Sequence, residues 1–249
     1  MEQKNNHEII DTKGDTAMLN FFGTGSGFAD EHTSAYFSCT TNSEMVIIDC
    51  PVSTFQKVKH LDLSMYSKFY VLITHTHGDH IGGLGLFVQY AFFTLKKPVT
   101  IVAPSEAVAN DIRTVLTIEG NELSWYELTT PAYVNSKEWF GDCILTQHSP
   151  QLSGKCFGYQ LFVDGKNVVY TGDTSTLEPF LKYLSDGSEL YVDTSVYYGM
   201  IHLKLEDALN DFIFFTKRGI RVYLMHLDNA SAACKIVEHI PGIEVVNHF

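Results

Sequence analysis

The stretch THTHGDHIGG, residues 74–83, places three histidines and one aspartate within residues 75–80, directly after the apolar run FYVLI at 69–73. A short run of aromatic and β-branched residues reads as a buried strand. The polar cluster therefore sits at a strand's C-terminal end, where a rigid scaffold presents functional groups on a loop. His75 and His77 are two positions apart and can point the same way. Asp79 and His80 are expected past the turn, where the chain reverses into a helix after Gly82 and Gly83. Four such groups crowd a single ion but can serve two neighbouring ions. Imidazole with carboxylate suits zinc, manganese or iron.

Later residues share that address. His148 follows CILTQ, Asp173 follows VVYTG and His226 follows VYLM, each an apolar run. Strands converging with these nitrogen and oxygen donors would make a metal centre. A lone histidine is more often structural or solvated than a ligand. His7, His32, His60, His239 and His248 have no such company and are expected to be non-ligands.

The remaining chain alternates apolar runs with turn signals. MLNFFGTGSG, SAYFSC, EMVIIDC and KFYVLITH read as successive strands, and IGGLGLFVQYAFFTLKK as one helix, apolar nearly all round. PVTIVA reads as a strand and PSEAVANDIRTVLT as a helix opening at Pro104 and Ser105. SWYELT, DCILTQHS, FGYQLFVD and NVVYTGD read as strands, the last two joined by the tight turn DGK at 164–166. STLEPFLKYL, KLEDALNDFIFFTKR and SAACKIVEHI read as helices between the strands ELYVDTS, IRVYLMH and IEVV. Early strand pairing followed by alternation predicts an α/β fold of layered sheets with helices outside. Residues 1–16 read as a polar N-terminal extension and 17–249 as one domain, with no internal repeat.

Composition narrows the classes. The 249 residues carry a formal net charge of −12, and their 17 Lys and Arg form no basic cluster. A grip on long nucleic acid rests on such a cluster, so none is expected. A small anion stays open, because bound cations can supply the local positive charge. The five cysteines are scattered and form no CxxC pair, which predicts free thiols in a reducing cytoplasm. Neither a membrane-spanning apolar run nor a signal-peptide core is visible. A cytoplasmic protein is expected.

The string His-x-His-x-Asp-His at 75–80, with His148, Asp173 and His226 each at a strand end, resembles the metallo-β-lactamase-fold hydrolases over about residues 17–249. The resemblance implies a four-layer αββα sandwich with metals in a cleft at one edge of the two sheets. It implies two divalent ions, zinc first, with manganese or iron as alternatives. His75, His77 and His148 would hold one, Asp79, His80 and His226 the other, and Asp173 would bridge them. VIIDCP at 46–51 resembles the family's early strand ending in a buried aspartate, so Asp49 would bond a ligand or loop amides behind the site. Cys50-Pro51 stand where a glycine often follows, which leaves the local turn open. FFGTGSGF at 21–28 lacks the P-loop lysine and the dinucleotide spacing. It reads as a tight turn near the site.

Ligand spacing selects a branch. The 25-residue interval from His148 to Asp173 is filled by two strands and their turn. It has no room for the long arm by which the family's tRNA 3′-processing endonucleases clamp tRNA. The 53 residues from Asp173 to His226 are too few for an inserted cap domain. LNFFGTGSGFADEHTSAYF, YTGDT and IHLKLEDA resemble the phosphodiesterase branch. There a histidine before the last helix assists the leaving group; His202 is the match, although Lys204 replaces the usual small residue nearby. Asp79 would orient the attacking water. The resemblance is strongest to compact dimeric cyclic-nucleotide phosphodiesterases such as the phage anti-Pycsar proteins, which implies substrates such as cCMP and cUMP and, for a phage-encoded chain, a host cytoplasm. A thioester or lactone hydrolase, an arm-less RNA 3′-processing nuclease and a di-iron redox module are the alternatives. The expected partners are a small phosphodiester and a second copy of the chain, with no membrane. The homodimer would form through GLGLFVQYAFF at 83–93 and FIFF at 212–215. Phe28, Tyr36, Tyr197 and Tyr198 are candidates for stacking on a base.

Overall fold

The computed structural model describes residues 17–197 and 199–247. The polar extension 1–16, with His7, and the positions Tyr198 and His248 lie outside the described residues.

Two strands show how the sequence builds the layers. In β3 (Glu44–Ile48) and β4 (Lys68–Leu72), successive side chains point to opposite faces. Met45, Ile47, Phe69 and Val71 join one apolar cluster, while Val46, Ile48, Tyr70 and Leu72 join another. Both faces are apolar because both are covered, the pattern of a buried parallel sheet. These strands sit in a six-stranded sheet ordered β1-β2-β3-β4-β5-β6. The others are β1 (Asn20–Gly23), β2 (Ser34–Cys39), β5 (Val99–Val102) and β6 (Glu127–Thr129). The first three strands pair antiparallel and the rest parallel.

A second six-stranded sheet, ordered β12-β11-β10-β9-β8-β7, follows the same plan. Its strands are β7 (Phe140–Leu145), β8 (Phe157–Val163), β9 (Lys166–Tyr170), β10 (Glu189–Asp193), β11 (Arg221–Met225) and β12 (Ile243–Val245). Here too an antiparallel trio, β7-β8-β9, leads into parallel pairing. The sequence has no repeat of residues, yet the topology repeats.

The helices complete four layers. They are α1 (Val52–Val58), α2 (Gly78–Ile81), α3 (Leu84–Tyr90), α4 (Glu106–Ile118), α5 (Pro131–Val134), α6 (Leu205–Lys217) and α7 (Ala230–Val237). Val58 of α1, Phe87 of α3 and Ile112 of α4 pack with the outer face of the first sheet. Phe37, Tyr70 and Trp139 meet Tyr159, Tyr191 and Tyr223 between the sheets. Phe212 of α6 and Val237 of α7 pack on Val192 and Leu224 outside the second sheet. The layer order is the αββα sandwich that the resemblance implied.

Several local expectations need correction. Residues 80–95 do not form one helix. The chain breaks at Gly82 and Gly83, resumes as α3 and ends in a π-helical turn, Ala91–Leu95. A Cβ on Gly83 would lie 2.4 Å from the Pro51 carbonyl oxygen, so the close approach of α1's first turn demands glycine there. Asp79 and His80 ride on a short helix of their own, α2, that precedes the glycines. STLEPFLKYL contains the 3-10 turn Glu178–Tyr183 instead of an α-helix. The short helices α1 and α5 had no periodic signal long enough to read. Leu86, Phe93 and Phe214 stay exposed on the helices expected to dimerise. All five cysteines are unpaired, and no helix of the described residues is long and apolar enough to cross a membrane.

Candidate metal centre

Asp49 follows β3 and Thr74 follows β4, and the parallel pairing of these strands sets their loops side by side. Asp49 is fully buried and takes the left-handed conformation at φ 58°. Its Oδ1 accepts the Thr74 N–H at 2.8 Å, and its Oδ2 accepts the Thr74 hydroxyl at 2.7 Å. The same Oδ2 lies 2.8 Å from His80 Nδ1. Because a carboxylate only accepts, His80 Nδ1 donates to it and Nε2 is left to face the site. Thr74, having given its proton to Asp49, accepts from His75 Nδ1 at 3.0 Å. One carboxylate thus orients His80 directly and His75 through a hydroxyl. The role implied for Asp49 has a geometry to support it.

The second sheet delivers the remaining donors. Asp173 follows β9 past Gly172, whose positive φ of 59° and close contact with the Phe157 carbonyl leave no room for a side chain. His226 follows β11 with φ 56°, and its N–H donates to Thr33 Oγ1 at 3.0 Å. His148 lies past β7; its Nδ1 donates to the Ile201 carbonyl at 2.7 Å.

All seven residues singled out as donors come together in two groups. His75, His77, His148 and Asp173 form the first, and Asp79, His80, Asp173 and His226 the second. Within each, the donor atoms lie within 4.8 Å of one another. His77 Nδ1 is 3.0 Å from His75 Nε2 and 3.4 Å from His148 Nε2. Asp173 Oδ2 is 3.5 Å from His148 Nε2 and 3.4 Å from His226 Nε2, while its Oδ1 is 3.3 Å from His80 Nε2. Asp79 Oδ2 is 3.4 Å from His226 Nε2 and 3.5 Å from His80 Nε2. Asp173 is common to both groups.

Electrostatics separates the groups. Burial holds His75 well below the usual histidine range and lowers His77 as well. Burial also opposes charge on His80 and His226, but Asp173 outweighs it, helped by Asp49 on His80 and by Asp193 and Asp79 on His226. His80 is raised well above its ordinary value, and His226 to about 10. Burial works against the charge of Asp79 and Asp173 in turn, and the facing histidines hold both carboxyls below the usual range.

The donors fit divalent cations. His80 Nε2 is buried without a hydrogen-bond partner and faces Asp79 and Asp173. Imidazole nitrogens crowd within hydrogen-bond distance of one another in the first group. Such convergence of lone pairs is costly without a cation between them.

His202 is at the centre as well. Its ring centroid is 4.9 Å from those of His148 and His226, and its Nδ1 is 2.8 Å from Asp193 Oδ2. Burial disfavours its charge, but Asp193 prevails and its pKa is raised. Asp193 was missed by sequence reasoning. It ends the strand ELYVD, so it carried the same strand-end signal as the others. Its carboxylate also accepts the Thr174 N–H at 2.9 Å and lies 3.4 Å from His226 Nδ1. Asp228 was missed too; it accepts from the Ser195 hydroxyl and from the N–H groups of Val196 and Tyr197.

The turn at 21–28 does border the site, for a Cβ on Gly27 would lie 3.0 Å from Asp79 Oδ2. Tyr36 does not: it stacks on Phe22 at 4.6 Å beside the outer core of the first sheet. His32, His60 and His239 join no donor group among the described residues.

Comparison with known proteins agrees with this fold. The solved metallo-β-lactamase-fold protein YhfI from Bacillus subtilis is 15% identical, with a TM-score of 0.67 over 92% of this chain and 95% of that one. The short form of human tRNase Z is 18% identical, with a TM-score of 0.63 over 93% and 96% of the two chains. These likenesses establish the metallo-β-lactamase fold. The Anti-Pycsar protein Apyc1 of Bacillus phage BSP38 is 26% identical over 230 residues, covering 85% of this chain and 89% of its own. The sequence profile described as Anti-Pycsar protein Apyc1 matches residues 17–242, and the chain belongs to that family.

Proposed function

We propose that the chain is a dinuclear-metal phosphodiesterase that hydrolyses small cyclic nucleotides, with cyclic pyrimidine mononucleotides such as cCMP and cUMP as its substrates in an anti-Pycsar role. The observation that carries this reading is the pair of four-donor groups sharing Asp173, beside the Asp193–His202 pair. His75, His77, His148 and Asp173 would hold one cation, and Asp79, His80, His226 and Asp173 the other. Zinc is the first choice for this imidazole-rich set, with manganese or iron as alternatives. Bound there, two cations supply Lewis acidity toward phosphate oxygens and acidify water.

The protein's own groups do the rest. The Asp79 side chain is the most exposed carboxylate of the two donor groups, at 16%, and it orients the attacking water, whose proton passes to solvent. That water's oxygen bonds to phosphorus as the phosphorus–ribose oxygen bond breaks. His202, its charge sustained by Asp193, donates a proton to the departing ribose oxygen. The product is a linear nucleoside monophosphate. A small substrate suits the chain because β8 and β9 occupy the interval between His148 and Asp173, where a tRNA-clamping arm would have to start.

The test is incubation with 3′,5′- and 2′,3′-cyclic mononucleotides and cyclic dinucleotides, with and without chelator. Chelator-sensitive turnover of at least one is expected. None on any member, with activity on a lactone or an acylglutathione, would replace this reading with the acyl-hydrolase one. We also propose a homodimer that covers exposed Leu86, Phe93 and Phe214; sedimentation at the mass of one chain would overturn it.

A further inference from the structure

Phe28 is fully exposed, at 105% of its reference surface. A phenyl ring held wholly in water has no folding role, and a loop tip ordinarily carries small or polar residues. Here the loop is tightly built. Gly25 N–H donates to Glu31 O at 3.1 Å, Ala29 N–H to Ser26 O at 2.9 Å and Thr33 N–H to Gly25 O at 2.9 Å. Lys57 Nζ reaches both Glu31 Oε2 at 2.7 Å and the Phe22 carbonyl at 2.6 Å, fixing the loop to α1.

The loop is also tied to the metal centre. Ser26 N–H donates to Leu227 O at 3.0 Å, and Leu227 N–H to Thr24 O at 2.8 Å. His226 N–H donates to Thr33 Oγ1 at 3.0 Å. Gly27, the residue before Phe28, approaches Asp79 so closely that a Cβ there would lie 3.0 Å from Oδ2. The ring therefore projects from a rigid rim within one residue of contact with a donor carboxylate. Segment 226–229 anchors the other rim as well, since Asp228 holds the backbone of Val196 and Tyr197. A cluster of donor side chains with an aromatic loop tip beside it suits a ligand with an anionic end and a flat apolar end.

We propose that Phe28 is the stacking platform for the substrate's nucleobase, setting affinity for base-bearing phosphodiesters while the metal centre takes the phosphate. This rests on the phosphodiesterase reading above. Stacking uses the π-face common to every base, so Phe28 supplies affinity for cyclic nucleotides in general, without choosing among bases.

The experiment compares the metal-loaded wild type, Phe28→Ala and Phe28→Trp on cyclic nucleotides and on 3′,5′-cyclic ribose phosphate, which has no base. Phe28 makes no core contact, so circular dichroism of the variants should match the wild type. Phe28→Ala should lower the preference in kcat/KM for base-bearing over abasic substrate by about 5- to 100-fold, through KM. Phe28→Trp should restore it. An unchanged preference in Phe28→Ala, or a loss that Phe28→Trp does not restore, overturns the proposal while the parent reading stands. A wild type that turns over no cyclic nucleotide overturns both.

Discussion

The two donor groups that meet at Asp173 are backed by different chemistry. Behind the first stand neutral groups: the Thr74 hydroxyl on His75 and the Ile201 carbonyl on His148. Behind the second stand carboxylates: Asp49 on His80 at 2.8 Å and Asp193 beside His226 at 3.4 Å. Asp79 adds a further negative charge on that side. A carboxylate behind an imidazole raises its basicity toward a metal and toward a proton alike. Burial thus favours the neutral form of His75 and His77 in the first group, whereas His80 and His226 of the second must exchange protons for their cation.

The largest effect should come from removing what the groups share. Asp173→Ala should bring bound metal per chain toward zero, along with chelator-sensitive turnover, as read by elemental analysis and phosphodiesterase assay. Loss of only one cation would mean that the groups are independent. Next comes His202→Ala, which should lower kcat by about 100- to 10,000-fold while metal content stays at the wild-type level. A matching loss of metal would make His202 a ligand.

Asp49→Asn should weaken metal binding by about 10- to 100-fold, more in the group containing His80 than in the group containing His75. Equal weakening would show that the Thr74 relay carries as much as the direct bond. The smallest effect is a proton count. His226, raised to about 10, is protonated at pH 7 in the metal-free protein, whereas burial keeps His75 neutral there. Metal entering the second group must displace protons, so its affinity should rise about tenfold per pH unit for each proton displaced up to that value. Burial keeps His75 and His77 from taking up protons, so affinity of the first group should rise less steeply across the same range. Calorimetric titration in buffers of different ionisation enthalpy reads both, and equal proton release from the two groups would erase the contrast.

What the sequence revealed follows the same division between local and distant. The donors at 75–80 were legible because they crowd one loop, and His148, Asp173 and His226 because each ends an apolar run. Asp193 also ends one, but its importance depends on register: parallel pairing sets it opposite Met225, next to His226. Asp228 acts only on backbone that the fold brings to it. Gly83 has no room for a side chain because Pro51, distant in sequence, lies where a Cβ would go. The layered architecture was readable from the alternation of strands and helices, since an apolar run such as Met45 to Ile48 is a local signal that each element carries alone.

His75, His77, Asp79 and His80 belong to the first sheet's loops, and His148, Asp173 and His226 to the second's. A cation held at Asp173 would therefore act as a clasp across the seam of the sandwich. Because it binds only where both halves are folded, mass action would add about 2.7 kcal/mol to thermal resistance at a hundredfold excess over its dissociation constant. Cellular metal supply would then govern how long the scaffold survives, as well as how fast it works.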